Sequence, residues 1–345
     1  MPIISLSTPT QFADASHQVT APGGYERWHF DAEDSAGQMR MVAVFYQGYV
    51  FHPAYLRAYN KYRWWPTRNA PPVPASFPCV CFNFYRGNQA VAQFIAQFPT
   101  RTCSAAVDRL DVSMGPNRVH SNEDGSLDLI ISGENGLSAQ FHFAPRAKHP
   151  PVERRFLSRA STGADHHWVI ANPLCDVSGQ IETTDSATGR TSQISIDGPG
   201  YHDHAYGTGP IGPGLKRWMW GRVLMEDHAA MFQFAQPRDL NQPDDIHMHE
   251  ADSFGLRELP VDRFNADWSR KTKGLLRYPA WVEAGAMQLV NPRVIDATPF
   301  SIRLIYDASV RGASGQACCE VAYPNRLVWP LIGKRIEKSI QFTSP

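Results

Sequence analysis

Apolar side chains in this protein come in short runs, frequently alternating with polar ones, and each run is closed by Gly, Pro, Asn or Asp. The runs MRMVAVFYQGYVF (39–51), FPCVCFNFYRG (77–87), LDLIISG (127–133) and LSAQFHFAP (137–145) are rich in β-branched and aromatic residues. RWMWGRVLM (217–225), HAAMFQFAQP (228–237) and FSIRLIYDASV (300–310) have the same texture. Residues two apart share a face of an extended chain, so this periodicity predicts antiparallel strands with one face on a core. Residues 88–98 read as a further strand or a short helix. The predicted fold class is mainly β, with strands spaced as in sandwiches or barrels.

Two segments break the pattern. Residues 60–78 contain five prolines and read as a loop or lid, whose Trp64 and Trp65 are expected to be covered rather than left in water. Near the other end, 325–342 spaces Leu327, Ile332 and Ile336 among Lys334, Arg335 and Lys338, which predicts a terminal helix interrupted at Pro330. That helix packs on the protein or rests its basic face on a membrane surface.

The length of 345 residues exceeds what one core usually serves, so two domains are expected. Both halves have similar texture, and the glycine-rich stretch 198–214 lies between them, dividing the chain into 1–197 and 198–345. Basic and acidic residues balance at 33 each. No long run of one sign occurs, which argues against a nucleic-acid groove and for a small apolar partner. The N-terminal stretch lacks a basic region followed by an apolar run, and no window is long enough to span a membrane. The reading is a cytoplasmic protein, with contact at the inner face of a membrane left open. Of the six cysteines, Cys79 and Cys81 are two apart in one strand and Cys318 and Cys319 are adjacent, so reduced thiols are expected.

Chemistry concentrates in GPGYHDHAYG (198–207). Alternation turns Tyr201 and Asp203 one way and His202 and His204 the other. By the same rule His166 shares a face with Trp168, and Trp218 and Trp220 share one with Arg222. Desolvation disfavours a charged carboxylate, so an aspartate among aromatic rings is expected to keep its proton and act as an acid, while indole faces stabilise a cation. The plainer alternative is that Asp203 caps a turn or pairs with Arg217 or Arg222. His202 and His204, with His247, His249 and Glu250 of DIHMHEAD, have His-x-His spacing compatible with a metal. Such a pair at a strand end more often makes ordinary hydrogen bonds to backbone or carboxylates, and no metal is expected. A Gly-x-Ser-x-Gly elbow, a phosphate-binding GxxxxGK(S/T) loop and a GxGxxG between strand and helix are all missing.

The stretches GGYERWHFDA (23–32), HHW (166–168), GPGYHDHAYG, WMWGR (218–222) and CCEVAYPNRLVWPLIG (318–333) occur in an order that resembles the carotenoid 1,2-hydratases, also called hydroxyneurosporene synthases. They equally resemble the wider group of tandem lipocalin-like proteins, which includes pericyclases of the Diels–Alderase type. The resemblance implies two lipocalin-like β-barrel or sandwich domains around an apolar tunnel, with no metal or organic cofactor. It also implies that the hydratases' His-x-Trp pair falls on His166 and Trp168 and their Tyr-x-Asp pair on Tyr201 and Asp203. The implied reaction is acid-catalysed hydration of an isoprenoid end group: Asp203 protonates a terminal double bond, Trp168 and Tyr201 shield the cation, and His166 positions the acid or the water. Trp28, Trp64, Trp65, Trp218 and Trp220 are the candidate ligand-contacting rings, with His202, His204 and Arg222 in support. A pericyclase acting through cavity shape and a lipid carrier without catalysis remain alternatives.

Overall fold

The structure, a computed structural model, describes residues 13–342 apart from 50, 134–135, 148, 157–163, 185–187, 213, 240 and 329–340. The first sheet is built from β1 (Tyr25–Glu33), β2 (Met39–Gln47), β3 (Pro78–Arg86), β4 (Gln89–Gln97), β5 (Cys103–Ala105), β6 (Asp111–Met114), β7 (Asn117–Ser121), β8 (Leu127–Ser132), β9 (Ser138–Pro145), β10 (Val152–Phe156), β11 (His166–Thr184) and β12 (Thr191–Gly207). The second holds β13 (Leu215–Leu224), β14 (Ala229–Pro237), β15 (Asp245–Asp252), β16 (Gly255–Glu258), β17 (Phe264–Ala266), β20 (Val282–Ala284), β21 (Met287–Ala297), β22 (Ser301–Val310) and β23 (Ala313–Ala322), while β18 (Arg270–Lys271) and β19 (Arg277–Tyr278) pair separately. A short β24 (Gln341–Phe342) adds to the edge of the first sheet in parallel with β4. Every other pairing is antiparallel among the described residues, and both sheets curl into half-barrels.

All seven apolar runs form strands, and 88–98 forms β4. The Pro-rich segment differs from expectation at its start. An α-helix, α1 (Pro53–Trp64), precedes it, capped where His52 Nδ1 accepts from Ala54 N at 3.0 Å and opened by Pro53 at its first turn. Histidine is an uncommon cap, so the helix start is masked in the sequence. The predicted terminal helix falls mainly on residues outside those described. Its first part is a 3-10 turn, Pro324–Val328, and its last two residues are β24.

Three apolar layers result. One face of the first sheet encloses a core of Trp28, Phe30, Phe45, Phe82, Leu129 and Phe143. One face of the second encloses Met219, Val223, Phe232, Leu289, Leu304 and Tyr306. Between the sheets lie Val44, Tyr46, Cys81 and Tyr85 against Phe300, Ile305 and Cys318, and Trp168, Ile170 and Tyr201 against Trp218, Trp220 and Met231. The chain changes sheets at 208–214, so the division expected at 197/198 falls inside β12. That strand lies between two apolar layers, which is why Tyr201, His202, Asp203, His204 and Ala205 are all buried although three of them are polar. No helix among the described residues is long and apolar enough to cross a membrane.

Candidate active site between the sheets

Asp203 sits on β12 opposite His29 of β1 and Ile170 of β11, at zero exposure. Its Oδ2 accepts two hydrogen bonds, from Trp168 Nε1 and from the Tyr201 hydroxyl, each at 2.9 Å. Strand alternation brings Tyr201 to it as expected, and register brings Trp168 across from β11. Burial first, and then the neighbouring Asp203, push the Tyr201 hydroxyl well above its ordinary range, so it remains a donor. Asp203 Oδ1 has no hydrogen-bond partner among the described residues. With both donors on Oδ2, Oδ1 is the oxygen without a hydrogen bond.

The neighbour of Oδ1 is Arg27, whose Nη2 lies 3.8 Å away, beyond hydrogen-bond range. Neither Arg217 nor Arg222, the partners weighed from sequence, reaches this carboxyl: Arg217 donates to Gln236 and Arg222 to Asp31. Arg27 was missed because an isolated arginine in β1 carries no spacing signal. Alternation along β1 nevertheless puts it on the face of Tyr25 and His29, toward Asp203. Its guanidinium also lies over Trp218, 5.4 Å from the ring centroid.

Arg27 lines two adjoining cavities. The larger, about 90 Å³, is bounded on one side by Val44, Tyr49, Phe51 and Phe300 and on the other by His29, Asn83, Arg303 and Glu320. The smaller, about 30 Å³, lies among Tyr25, Phe156, Ala205, Ile211 and Trp218. Trp220 closes the site from β13, packing its ring 5.0 Å from His29 and 5.5 Å from Tyr201. The indole N–H groups of Trp218 and Trp220 are buried without an acceptor among the described residues.

His166 shares a face with Trp168 but stands four residues from Ile170, the partner of Asp203, which is about 13 Å along the strand. It meets Tyr25 instead, Nδ1 to hydroxyl at 3.3 Å. Gly207 makes that meeting possible, since a Cβ there would lie 2.5 Å from His166 Nδ1 and 2.7 Å from the Tyr25 ring. Burial, then the charge of His167, lowers the His166 pKa to about 4, so the ring is neutral at pH 7.

The other face of β12 is structural. His202 reaches Asp14 at 3.0 Å and the His29 carbonyl at 2.9 Å, and His204 reaches Glu26 at 3.0 Å and the Ala13 carbonyl at 3.1 Å. Burial opposes a charge on His202, but Asp14 outweighs it and raises the pKa. Trp28 lies on this face too, stacked 4.8 Å from His204 in the first core. Its expected role as a ligand-contacting ring is thereby corrected, because alternation on β1 turns position 28 away from Arg27 and His29. Trp64 and Trp65 line neither cavity; they are 71% and 57% exposed, not covered as expected, because α1 ends pointing outward. Arg222 is buried beside Asp31 and Glu33 and ties β13 to β1.

The two His-x-His pairs do not converge. His249 accepts from Arg154 Nε at 3.1 Å on the second sheet, and burial followed by Arg154 lowers its pKa to about 3. Among the described residues one donor group has metal-like closeness, His17, Glu26 and His204, with ligand atoms within 4.8 Å. Both ring nitrogens of His204 and Nε2 of His17 are engaged by Glu26 and the Ala13 carbonyl, so hydrogen bonding accounts for the cluster.

No family model matches the chain. It is 25% identical over 326 residues to hydroxyneurosporene dehydrogenase of Chlorobaculum tepidum, a match covering 86% of this chain and 80% of that one. Its fold is similar to that of a protein assigned as AttH from Nitrosomonas europaea, at a TM-score of 0.62 and 13% identity, covering 94% and 99% of the two chains. It is also similar to kievitone hydratase from Nectria haematococca, at 0.55 and 10%, covering 91% and 93%. CghA with Sch210972 matches at 0.56 and 10%, covering 90% and 96%. These likenesses establish the tandem lipocalin-like fold, and the sequence match lies with a carotenoid-related protein, as the motif order implied.

Proposed function

We propose that this protein is a hydratase-type enzyme that adds water to the terminal double bond of an acyclic isoprenoid or polyene, with Asp203 as the acid. The observation that carries the reading is the buried carboxyl whose Oδ2 is held by Trp168 and Tyr201 while Oδ1, without a hydrogen bond, faces Arg27 at 3.8 Å. The proton on Oδ1 passes to the less substituted carbon of the terminal double bond, leaving a tertiary cation on the other carbon and a carboxylate on Asp203. Arg27 and the two Oδ2 donors stabilise that carboxylate as it forms, without having to reorganise. Water adds to the cation, and the proton it loses restores Asp203.

Such a reaction needs hydrocarbon and water side by side. The larger cavity, whose wall includes Arg27 and His29 beside Asp203 but not Asp203 itself, supplies both surfaces, apolar at Val44, Phe51 and Phe300 and polar at His29, Asn83 and Glu320. Its volume suits an end group with water, so the remainder of a long substrate extends beyond it. Of the aromatic rings near Asp203, Trp168, Tyr201 and Trp220 line neither cavity, and Trp218 lines the smaller one, where its face is open to a cation. The similarity to kievitone hydratase in fold, and to a carotenoid-related protein in sequence, supports the class of reaction and of substrate.

The test is mass spectrometry of products after supplying acyclic carotenoids. Gain of one water per reacting end group is expected, and loss of two hydrogens, as a dehydrogenase would give, overturns the reading. In the same assay Asp203→Asn is expected to lose at least about a hundredfold in kcat. A loss of only a fewfold would assign turnover to cavity shape, as in a pericyclase.

A further inference from the structure

The structure points to a second functional surface, and we infer that the outer end of α1 is a membrane-docking element that reads an anionic lipid surface. Between positions 35 and 107 the chain has seven Arg and Lys residues and no Asp or Glu, although its overall charge is balanced. Arg57, Lys61 and Trp64 stand at i, i+4 and i+7 of α1, on one face, with Arg63, Trp65 and Arg68 beside them, all exposed. The opposite face anchors the helix. The Tyr55 hydroxyl donates to the Gly24 carbonyl at 2.6 Å, and the Tyr59 ring packs where a Cβ on Gly23 would stand.

The tip is held in shape rather than left loose. Trp65 N donates to the Lys61 carbonyl at 2.9 Å, and the Asn69 side chain donates to the carbonyls of Lys61 and Trp65. Two adjacent exposed indoles ringed by cations, followed by Pro66, Pro71 and exposed Val73, match the chemistry of the bilayer interface. Phe51, two residues before the helix, lines both cavities, so the base of α1 adjoins the site and its outer end stands about 18 Å from it, one helix length away.

The experiment is flotation of the full chain with vesicles of mixed phosphatidylglycerol and phosphatidylcholine, compared with phosphatidylcholine alone. Binding is expected only with the anionic lipid and is expected to fall with salt. Trp64→Ala with Trp65→Ala weakens it about tenfold or more, and each of Lys61→Gln, Arg63→Gln and Arg68→Gln weakens it about fivefold. All variants keep the parent's thermal unfolding. Absence of binding, equal binding to neutral vesicles, or undiminished binding by the double variant overturns the inference. So does a preference for single-stranded RNA over vesicles, or loss confined to Lys334→Gln with Arg335→Gln and Lys338→Gln. None of these readouts depends on turnover, so the inference stands or falls apart from the proposed reaction.

Discussion

Single side chains set the protonation pattern of the layer between the sheets. His166 and His249 are neutral when folded, with pKa values lowered to about 4 and about 3, chiefly by burial. The unfolded chain binds protons at these two positions from about pH 6.5 downward, whereas the folded chain resists until about 4 and below. Stability is therefore lost as the pH falls from 6.5 toward 4, by on the order of 3 kcal/mol for each histidine. Glu153 acts in a lower window. Its pKa of about 2, lowered first by the hydrogen bond with His167, gives stability that disappears only as the pH falls from about 4.5 toward 2. Melting temperatures measured between pH 7 and 4 should drop for the native chain and drop less for His166→Phe. Equal slopes would show that His166 is not the titrating group.

Among the elements, β12 decides most. It is polar in sequence and buried in structure, because one face serves the first core through His202 and His204 and the other serves the inter-sheet layer through Tyr201 and Asp203. Its partner β11 shifts register between Ile170 and Cys175, where Pro173 cannot donate a ladder hydrogen bond. Farther along β12, Gly207 leaves room for His166 and Tyr25 to meet over the strand. Gly207→Ala places a methyl group 2.5 Å from His166 Nδ1 and is expected to cost about 1–3 kcal/mol. Chemical denaturation checks this, and an unchanged midpoint would mean that the two rings separate freely.

Across the whole molecule, a buried ion network fastens one sheet to the other. Arg222 of β13 meets Asp31 and Glu33 of β1, His29 bonds Asp31 at 3.0 Å, and Arg40 reaches from β2 to Gln316 of β23. Burial works against the Asp31 carboxylate, but Arg222 and then His29 outweigh it and hold its pKa below the ordinary value. Arg222→Met leaves Asp31 with His29 alone and Glu33 with Arg40 alone, and is expected to destabilise by about 3 kcal/mol. Adding Asp31→Asn should recover part of the loss, which a double-mutant cycle measures. Additive losses would mean that the pair is not coupled.

Strand positions, the mainly β class and the two-faced character of 201–204 were legible in the chain because a period of two is local and survives any packing. So was the pairing of Tyr201 with Asp203, which needs nothing beyond alternation. Long-range register was not legible. It brings Trp168 to Asp203 and Arg27 to the same carboxyl, leaves His166 with Tyr25, and sends Trp28 into the first core although it stands one residue from the candidate site. The outward tip of α1 was hidden for a related reason: a cap made by a histidine and a helix anchored by two tyrosines leave no periodic trace. Contacts between residues 35 positions apart, as for Trp168 with Asp203, or 141 apart, as for Tyr25 with His166, depend on which strands become neighbours, and no short window of sequence contains that information.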